Sequence, residues 1–546
     1  MIWVLATTVA VVAPLLRPGV SLGPFDLLAH FGLTQHAGVR VHNRLAGDQI
    51  LQFVPWSTLA WRQVHAGHLP LWNSYNLVGT PLAFNWQSAV FSIPNLISYL
   101  FPLRYVYTVI VVSKLLIAAT GAYLLCRLCR LGALAATFGA VTFELAGPML
   151  DHYGWAMTGV TMWAGWAFAM TWMVVRGQHR ARYSACLAVV LALTVYGGHP
   201  ESLAVMALSL LVFVVVAVVS DRSTRHRWRP WVDLGSSVVG GAVLSAPLLL
   251  PGWQLAAASA HHRGTAVGPL PASRLVDVLV AGQGSNYEVA CYLGVIAVVL
   301  AVVGLRTRWS DPRVKATAAL SVVGLLVVFT RADAVLQALP GGGLVDWNRA
   351  DMPMALAVAV LAAFGLQALV DDGARALVGK WMTLGFAVGG GLLAMAAGLT
   401  LTHRSSVVGP AVDAAIGAAC AVVLWTDPSR RRWTSARGVG AVLLATQSVF
   451  LVASGVSFWS ESGTFFAPTP AVSELQRLVG SSLVGFGSCR RPVYAVPALT
   501  TLGVTPEANI GFAVHEFAAY DAMVPYAWTS SWRAVSGQWL GSPAFT

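Results

Sequence analysis

FDLLAHFGLTQHAGVRVHNRLAGDQILQFVPWSTLAWRQVHAGHLPLWNSYNLVGTPLAFNWQSAVFSIPNL, residues 25–96, decides how this chain is read. It fills most of a gap, residues 17–104, between the first apolar run and the second. It is rich in aromatic residues, Asn, Gln, His, Gly and Pro, and its only acidic residues are Asp26 and Asp48. A connection this long between apolar segments usually carries a function.

Outside the gap the chain is built of apolar runs. Of its 546 residues 57% are hydrophobic and only 10% are charged, against about 25% charged in soluble domains. That composition predicts a mostly α, polytopic membrane protein. Runs of near-bilayer length start near Ile2, Tyr105, Gly132, Trp155, Tyr183, Leu203, Val232, Val289, Ala316, Met354, Trp381, Val408 and Gly438, so about thirteen transmembrane helices are expected. The first run, MIWVLATTVAVVAPLL, has no basic start and no A-x-A cleavage site. It reads as a retained helix and not as a signal peptide.

The net charge of +12 is distributed as topology signals, not as a nucleic-acid surface. Basic clusters follow every second run: Arg127 and Arg130; Arg176, Arg180 and Arg182; Arg222 to Arg229; Arg306 to Lys315; Arg375 and Lys380; Arg430 to Arg437. These loops are expected to be cytoplasmic. The N-terminus is then cytoplasmic, and the 17–104 gap and the tail, residues 457–546, are extracytoplasmic. Residues 1–456 are expected to form the transmembrane domain, and the tail, with short alternating runs such as RPVYAV, to be a mixed α/β or β-rich exported region that reads as cut at Thr546. The six cysteines imply no disulfide framework or zinc site.

Candidate chemistry sits at the outer helix ends. Asp48, at the head of an interfacial segment QILQFVPW, is either a helix cap or a general base beside a water-poor interface; Asp26 has the same two readings. Trp72, Asn73, Asn76, Asn85, Trp86 and Gln87 form an aromatic-plus-amide set. It suits sugars, whose C–H faces stack while hydroxyls take hydrogen bonds, and it equally suits an interface-lying anchor. Arg349 is placed to pair with Asp346 or Asp351, or to face a lipid phosphate. His199 and Glu201 lie at another outer junction. A metal there would need a third ligand such as Asp151 or His152, which no spacing rule links. No cofactor is indicated, and a divalent metal is compatible but not signalled. There is no Walker A loop, GxGxxG fingerprint or HExxH.

Taken together these motifs resemble the bacterial YfhO-type membrane proteins. The first gap shares their acidic residue, Gln (Gln52 here), Pro, G-x-L-P-L-W-N and G-x-P in DQILQFVPW and AGHLPLWNSYNLVGTP. Gly198-His199-Pro200-Glu201 is similar to their G-H-P-Q, with Glu201 in place of Gln. Glu288 to Gly294 matches E-x-x-x-Y-x-G. Asn348 to Pro353 matches an arginine-bearing outer loop but lacks its second arginine. Thr505 to Asn509 and Ala519 to Tyr526 match tail segments. That family is grouped with the GT-C glycosyltransferases, multi-spanning enzymes that take sugars from polyprenyl-phosphate donors outside the cytoplasm. The resemblance implies a GT-C-like fold in the bacterial plasma membrane and an inverting transfer. The acceptor is a cell-envelope glycan or lipid. Asp48 is the general base and Asp26 a second acid. Arg349 contacts phosphate. His199 and Glu201 line the site. Gln52, Trp72, Asn73, Asn85, Gln87 and Glu288 are the further substrate-binding candidates. The rivals are a lipid or polysaccharide transporter and a non-catalytic envelope scaffold. A transporter should bury acids in mid-span, and here the spans are nearly free of acids, Glu144 being the main exception, which favours an interfacial enzyme.

Overall fold

The computed structural model describes residues 1–16, 20–30, 32–39, 41, 47–177, 179–221, 228–259, 268–279, 291–371, 379–390, 408–426, 436–454, 459–460 and 466–484, and within the tail 503–504, 506–516, 519, 521, 523–527, 530, 540–541 and 544–545. Glu288 lies outside the described residues.

Helix α1 (Ile2–Val12) is followed, across the first gap, by α2 (Val54–His65) and the short α3 (Ile93–Ser98). Then come α4 (Val106–Leu128), α5 (Ala133–Glu144), α6 (Gly147–Leu150), α7 (Ala156–Thr161), α8 (Ala164–Arg176), α9 (Arg180–Tyr196), α10 (Pro200–Ser220) and α11 (Arg229–Ala258). The second half holds α12 (Val295–Thr307), α13 (Pro312–Phe329), α14 (Asp333–Gln337), α15 (Asp351–Val370), α16 (379–390), α17 (Val408–Thr426), α18 (Ala436–Ser454) and α19 (Pro470–Val479).

Among the described residues six helices are long and apolar enough to cross a bilayer: α4, α10, α11, α13, α15 and α18. Four further apolar helices are shorter, including α1, α5 and α12. The expected count of about thirteen full spans took each apolar run as one helix. The run near Trp155 shows the difference. It is divided into α7 and α8 by a turn at Met162–Trp163, a break that apolar composition does not register.

α15 is the centre of the bundle, packed by α5, α12 and α13. It meets α12 through glycines. A Cβ on Gly365 would land on the Leu300 carbonyl oxygen, and one on Gly304 would land on that of Leu361. Backbone this close admits no side chain. Gly365→Ala is therefore expected to lower stability by about 1–3 kcal/mol through overpacking, read as a drop in thermal midpoint in detergent, whereas Ala on the open face at Gly390 leaves it unchanged. The mid-bundle acid Glu144 is fully buried and accepts hydrogen bonds from Thr7 and Thr8, which ties α1 to α5.

Charged side chains gather at one end of the bundle. Arg176, Asp221, Arg308, Asp311 and Arg313 converge with Trp172 on a cleft of about 380 Å³, which gathers the basic ends of α8 and α12 with the end of α10. The opposite end of α10 is His199–Pro200. Twenty-one residues of helix separate the two ends by about 30 Å, close to the hydrocarbon thickness of a bilayer.

The described residues of the first gap fold into a cap. A five-residue π-turn, Gln49–Phe53, runs into α2, with Pro55 in the first turn of that helix. Proline has no N–H and its ring crowds the turn before it; the wider turn relieves that crowding. A hairpin pairs Trp72–Asn73 with Thr80–Pro81. Part of the described tail packs onto this cap. Ser21–Leu22 pairs with Trp459–Ser460, Arg62 donates to the carbonyls of Ile510 and Gly511 at 2.8 and 2.9 Å, and Trp56 donates to Glu507 at 3.0 Å. Phe466 stands edge-on to Phe25 and Phe512, each at 5.4 Å.

Candidate active site at one end of the bundle

Asp48 precedes the π-turn, and its Oδ2 accepts the indole N–H of Trp155 at 3.2 Å. Trp155 heads α7 and is edge-on to the His152 ring at 5.7 Å. His152 is fully buried. Its Nδ1 is 3.1 Å from the Pro148 carbonyl, which can only accept, so Nδ1 carries the proton. The lone pair of Nε2 then faces an Arg349 guanidinium N–H at 3.4 Å. Arg349 in turn reaches Asp346, with Nε 3.5 Å from Oδ2. That distance gives an ion pair without a hydrogen bond, so the buried Nε–H has no acceptor among the described residues.

Asp346 also caps the 3₁₀ turn Trp347–Ala350 through Asn348 N at 3.1 Å. Its own N–H donates to Glu201 Oε2 at 3.1 Å. His199 caps α10: its Nδ1 accepts from Ser202 N at 3.2 Å. Gly198, at φ +89°, brings this junction against the first gap, where any Cβ would strike the Trp86 carbonyl. Asp351 lies aside, its carboxylate 3.9 Å from the Cys291 thiol.

The electrostatics follow from burial around a fixed cation. Burial, and then the Arg349 charge, push both His152 and His199 from 6.5 down to about 3. Both imidazoles are neutral in the fold, and unfolding frees them to take a proton below about pH 6.5. Their contribution is complete above that pH and is lost as pH falls toward 3, by about 1.4 kcal/mol per unit for each ring. Thermal midpoints measured from pH 7 to pH 4 should fall, and His152→Gln should flatten the slope by one ring's share.

The other expected residues are more dispersed. Gln52 is buried one turn beyond Asp48. Asp26 is buried in the 3₁₀ turn Phe25–His30 with Phe25, Leu27 and Leu28, in the same apolar cluster as Ile50 and Leu51. Asn73 spends its amide on Asn76 (3.2 Å) and on Tyr75 N (2.9 Å). Asn85 bonds Ser88 N (2.9 Å) and Asp521 (3.3 Å). Trp72 is half exposed and lies over Gly79. Gln87 lines a cavity of about 30 Å³ with Ser57, Ser88, Tyr107, Lys114 and Gly154. Among the described residues no group of three or more His, Cys, Asp or Glu could hold a metal ion. Sequence reasoning did not single out Trp155 or Lys114, and it weighed His152 only as a metal ligand. The available signal was a polar, aromatic break, DHYGW, between two apolar runs.

No family model matches the sequence, and no curated protein matches it. Among solved structures the chain is similar to the arabinofuranosyltransferase AftD from Mycobacteria, with a TM-score of 0.50 and 13% identity over 96% of this chain and 32% of that one. It thus spans about a third of the length of that enzyme. It is also similar to ArnT from Cupriavidus metallidurans bound to undecaprenyl phosphate (TM-score 0.46, 13% identity, 94% of this chain and 89% of that one). A third is the oligosaccharyltransferase AglB from Archaeoglobus fulgidus, in complex with an inhibitory peptide and a dolichol-phosphate (TM-score 0.36, 13% identity, 82% and 56%). At 13% identity the likeness to the first is one of fold alone: this chain shares the architecture of AftD, mostly helical with several helices apolar and long enough to cross a bilayer.

Proposed function

We propose that the chain is an inverting membrane glycosyltransferase of the YfhO type. It moves a sugar from a polyprenyl-phosphate donor to a cell-envelope glycan or lipid on the outer face of the bacterial plasma membrane. The N-terminus is cytoplasmic, and the first gap and tail are extracytoplasmic. One observation carries the reading: a carboxylate, Asp48, is linked through Trp155 and His152 to a buried guanidinium, Arg349, that keeps a free N–H. Base and phosphate contact are what a single displacement needs.

Asp48 takes the proton of the acceptor hydroxyl as its oxygen attacks the anomeric carbon. The bond from that carbon to the phosphate oxygen breaks, and the lipid phosphate leaves with the electron pair. The charge that grows on phosphate meets Arg349, whose neutral histidine neighbours do not compete for it. One displacement inverts the anomeric centre. Gln52, Gln87, Trp72, Asn73, Asn85, His199, Glu201 and Glu288 are proposed around the sugar and acceptor, with Asp26 as a second acid.

The polyprenyl-phosphate bound to ArnT makes that lipid class the first donor to try. Purified protein in nanodiscs is given a panel of synthetic prenyl-phosphate sugars and envelope extracts. Labelled sugar should appear in extractable glycan or lipid with at least one donor. Absence of transfer across the panel sinks the reading.

A further inference from the structure

We infer that Lys114 is a positioning residue for Asp48 and Arg349, acting through the 152–158 turn; this rests on the proposed transfer site. Lys114 lies eight residues into α4, about 12 Å along the helix, and is 7% exposed. Its Nζ donates to the Trp155 carbonyl at 2.7 Å, the Tyr153 carbonyl at 3.2 Å and Thr158 Oγ1 at 3.3 Å. An ammonium has three N–H bonds and no acceptor, so these three oxygens use it completely. Among the described residues no carboxylate pairs with it. A cation inside a membrane helix is costly. A methionine would fill the same space at less cost.

What the ammonium holds explains its presence. The turn between α6 and α7 aims two side chains at different partners, Trp155 at Asp48 and His152 at Arg349. Lys114 grips the carbonyls of Tyr153 and Trp155, and Thr158 closes the turn by lying 2.9 Å from the His152 and Trp155 carbonyls. The same face of α4 fixes the other side. Tyr107, seven residues earlier and so on the same face, donates its hydroxyl to Gln49 Oε1, next to Asp48 in the chain. Gly154 leaves room for that contact, since a Cβ there would strike both the Tyr107 hydroxyl and the Gln49 amide. One helix face therefore sets both members of the Asp48–Trp155 hydrogen bond, and through His152 the placement of Arg349.

The test uses the full chain in nanodiscs, with Lys114→Met and Lys114→Arg. Hydrogen exchange over 152–158 should rise about 10-fold in Lys114→Met, with α8 and α10 as protected as in wild type. In transfer assays kcat should fall about 10²-fold, the cost of a misplacement near 1 Å, with the donor KM within about threefold. In an Asp48→Asn background the same change should cost nothing more, because both act on one step. Lys114→Arg should behave like Lys114→Met, since a planar fork does not match three converging oxygens. Wild-type exchange and kcat in a folded Lys114→Met overturn the inference. So does an equal loss with and without Asp48, which marks general destabilisation. If Lys114→Met does not fold, Thr158→Val removes one acceptor, and unchanged exchange over 152–158 overturns the inference. If wild type transfers from no donor, the functional reading fails on its own and the exchange result alone decides the role of Lys114.

Discussion

Asp48→Asn should lower kcat by about 10²–10⁴-fold, the usual worth of a general base, while leaving fold and donor binding intact. Asparagine is nearly isosteric, and its carbonyl oxygen can still accept the Trp155 indole N–H that Asp48 accepts at 3.2 Å. The π-turn and α2 behind it are held by backbone bonds and by buried Ile50, Leu51 and Trp56, which the change does not touch. Only the capacity to take a proton is lost. Thermal midpoint and prenyl-phosphate affinity should match wild type. Full activity in Asp48→Asn removes the base assignment. If Asp26→Asn alone is inactive and folded, the assignment moves there.

Arg349→Lys should cut kcat/KM by on the order of 10²–10³-fold, the scale seen when one preorganised donor to a developing charge is removed. Lysine keeps the charge but not the planar fork that lies 3.4 Å from His152 and 3.5 Å from Asp346 with an N–H to spare. Arg349→Met adds a stability loss, because Asp346 is left without its cation. Pairing it with Asp346→Asn should restore the thermal midpoint but not transfer. A second readout is independent of turnover. Arg349 is the second cause, after burial, of the low pKa values of His152 and His199, so both should titrate at higher pH in Arg349→Met. Unmoved histidines together with unimpaired transfer contradict the arrangement.

The sequence made the apolar runs, the charge alternation and the first gap legible because each depends on composition within a short window. Arg349 with Asp346, His199 and Glu201 were named from helix ends, and packing brings those ends together. The link to Asp48 was hidden. Trp155 lies 107 positions from Asp48 and His152 lies 197 from Arg349, and only helix packing sets such pairs. The amides read two ways for a chemical reason. Asn in an aromatic loop serves a sugar hydroxyl or a turn equally well, and Asn73 and Asn85 bond Asn76, Tyr75, Ser88 and Asp521. Lys114 was read past because one lysine barely disturbs an apolar run, although at that depth it carries the most information in α4.

The central claim is a single displacement from a lipid phosphate with Asp48 as base. Its most direct measurement is the anomeric configuration of the first product, by NMR, after one turnover from a donor of defined linkage, with Asp48→Asn run beside wild type. The account predicts inverted product from wild type, no covalent glycosyl-protein on quenching, and almost no product from the variant. Retained configuration, a trapped glycosyl-protein, or equal product from Asp48→Asn would contradict it.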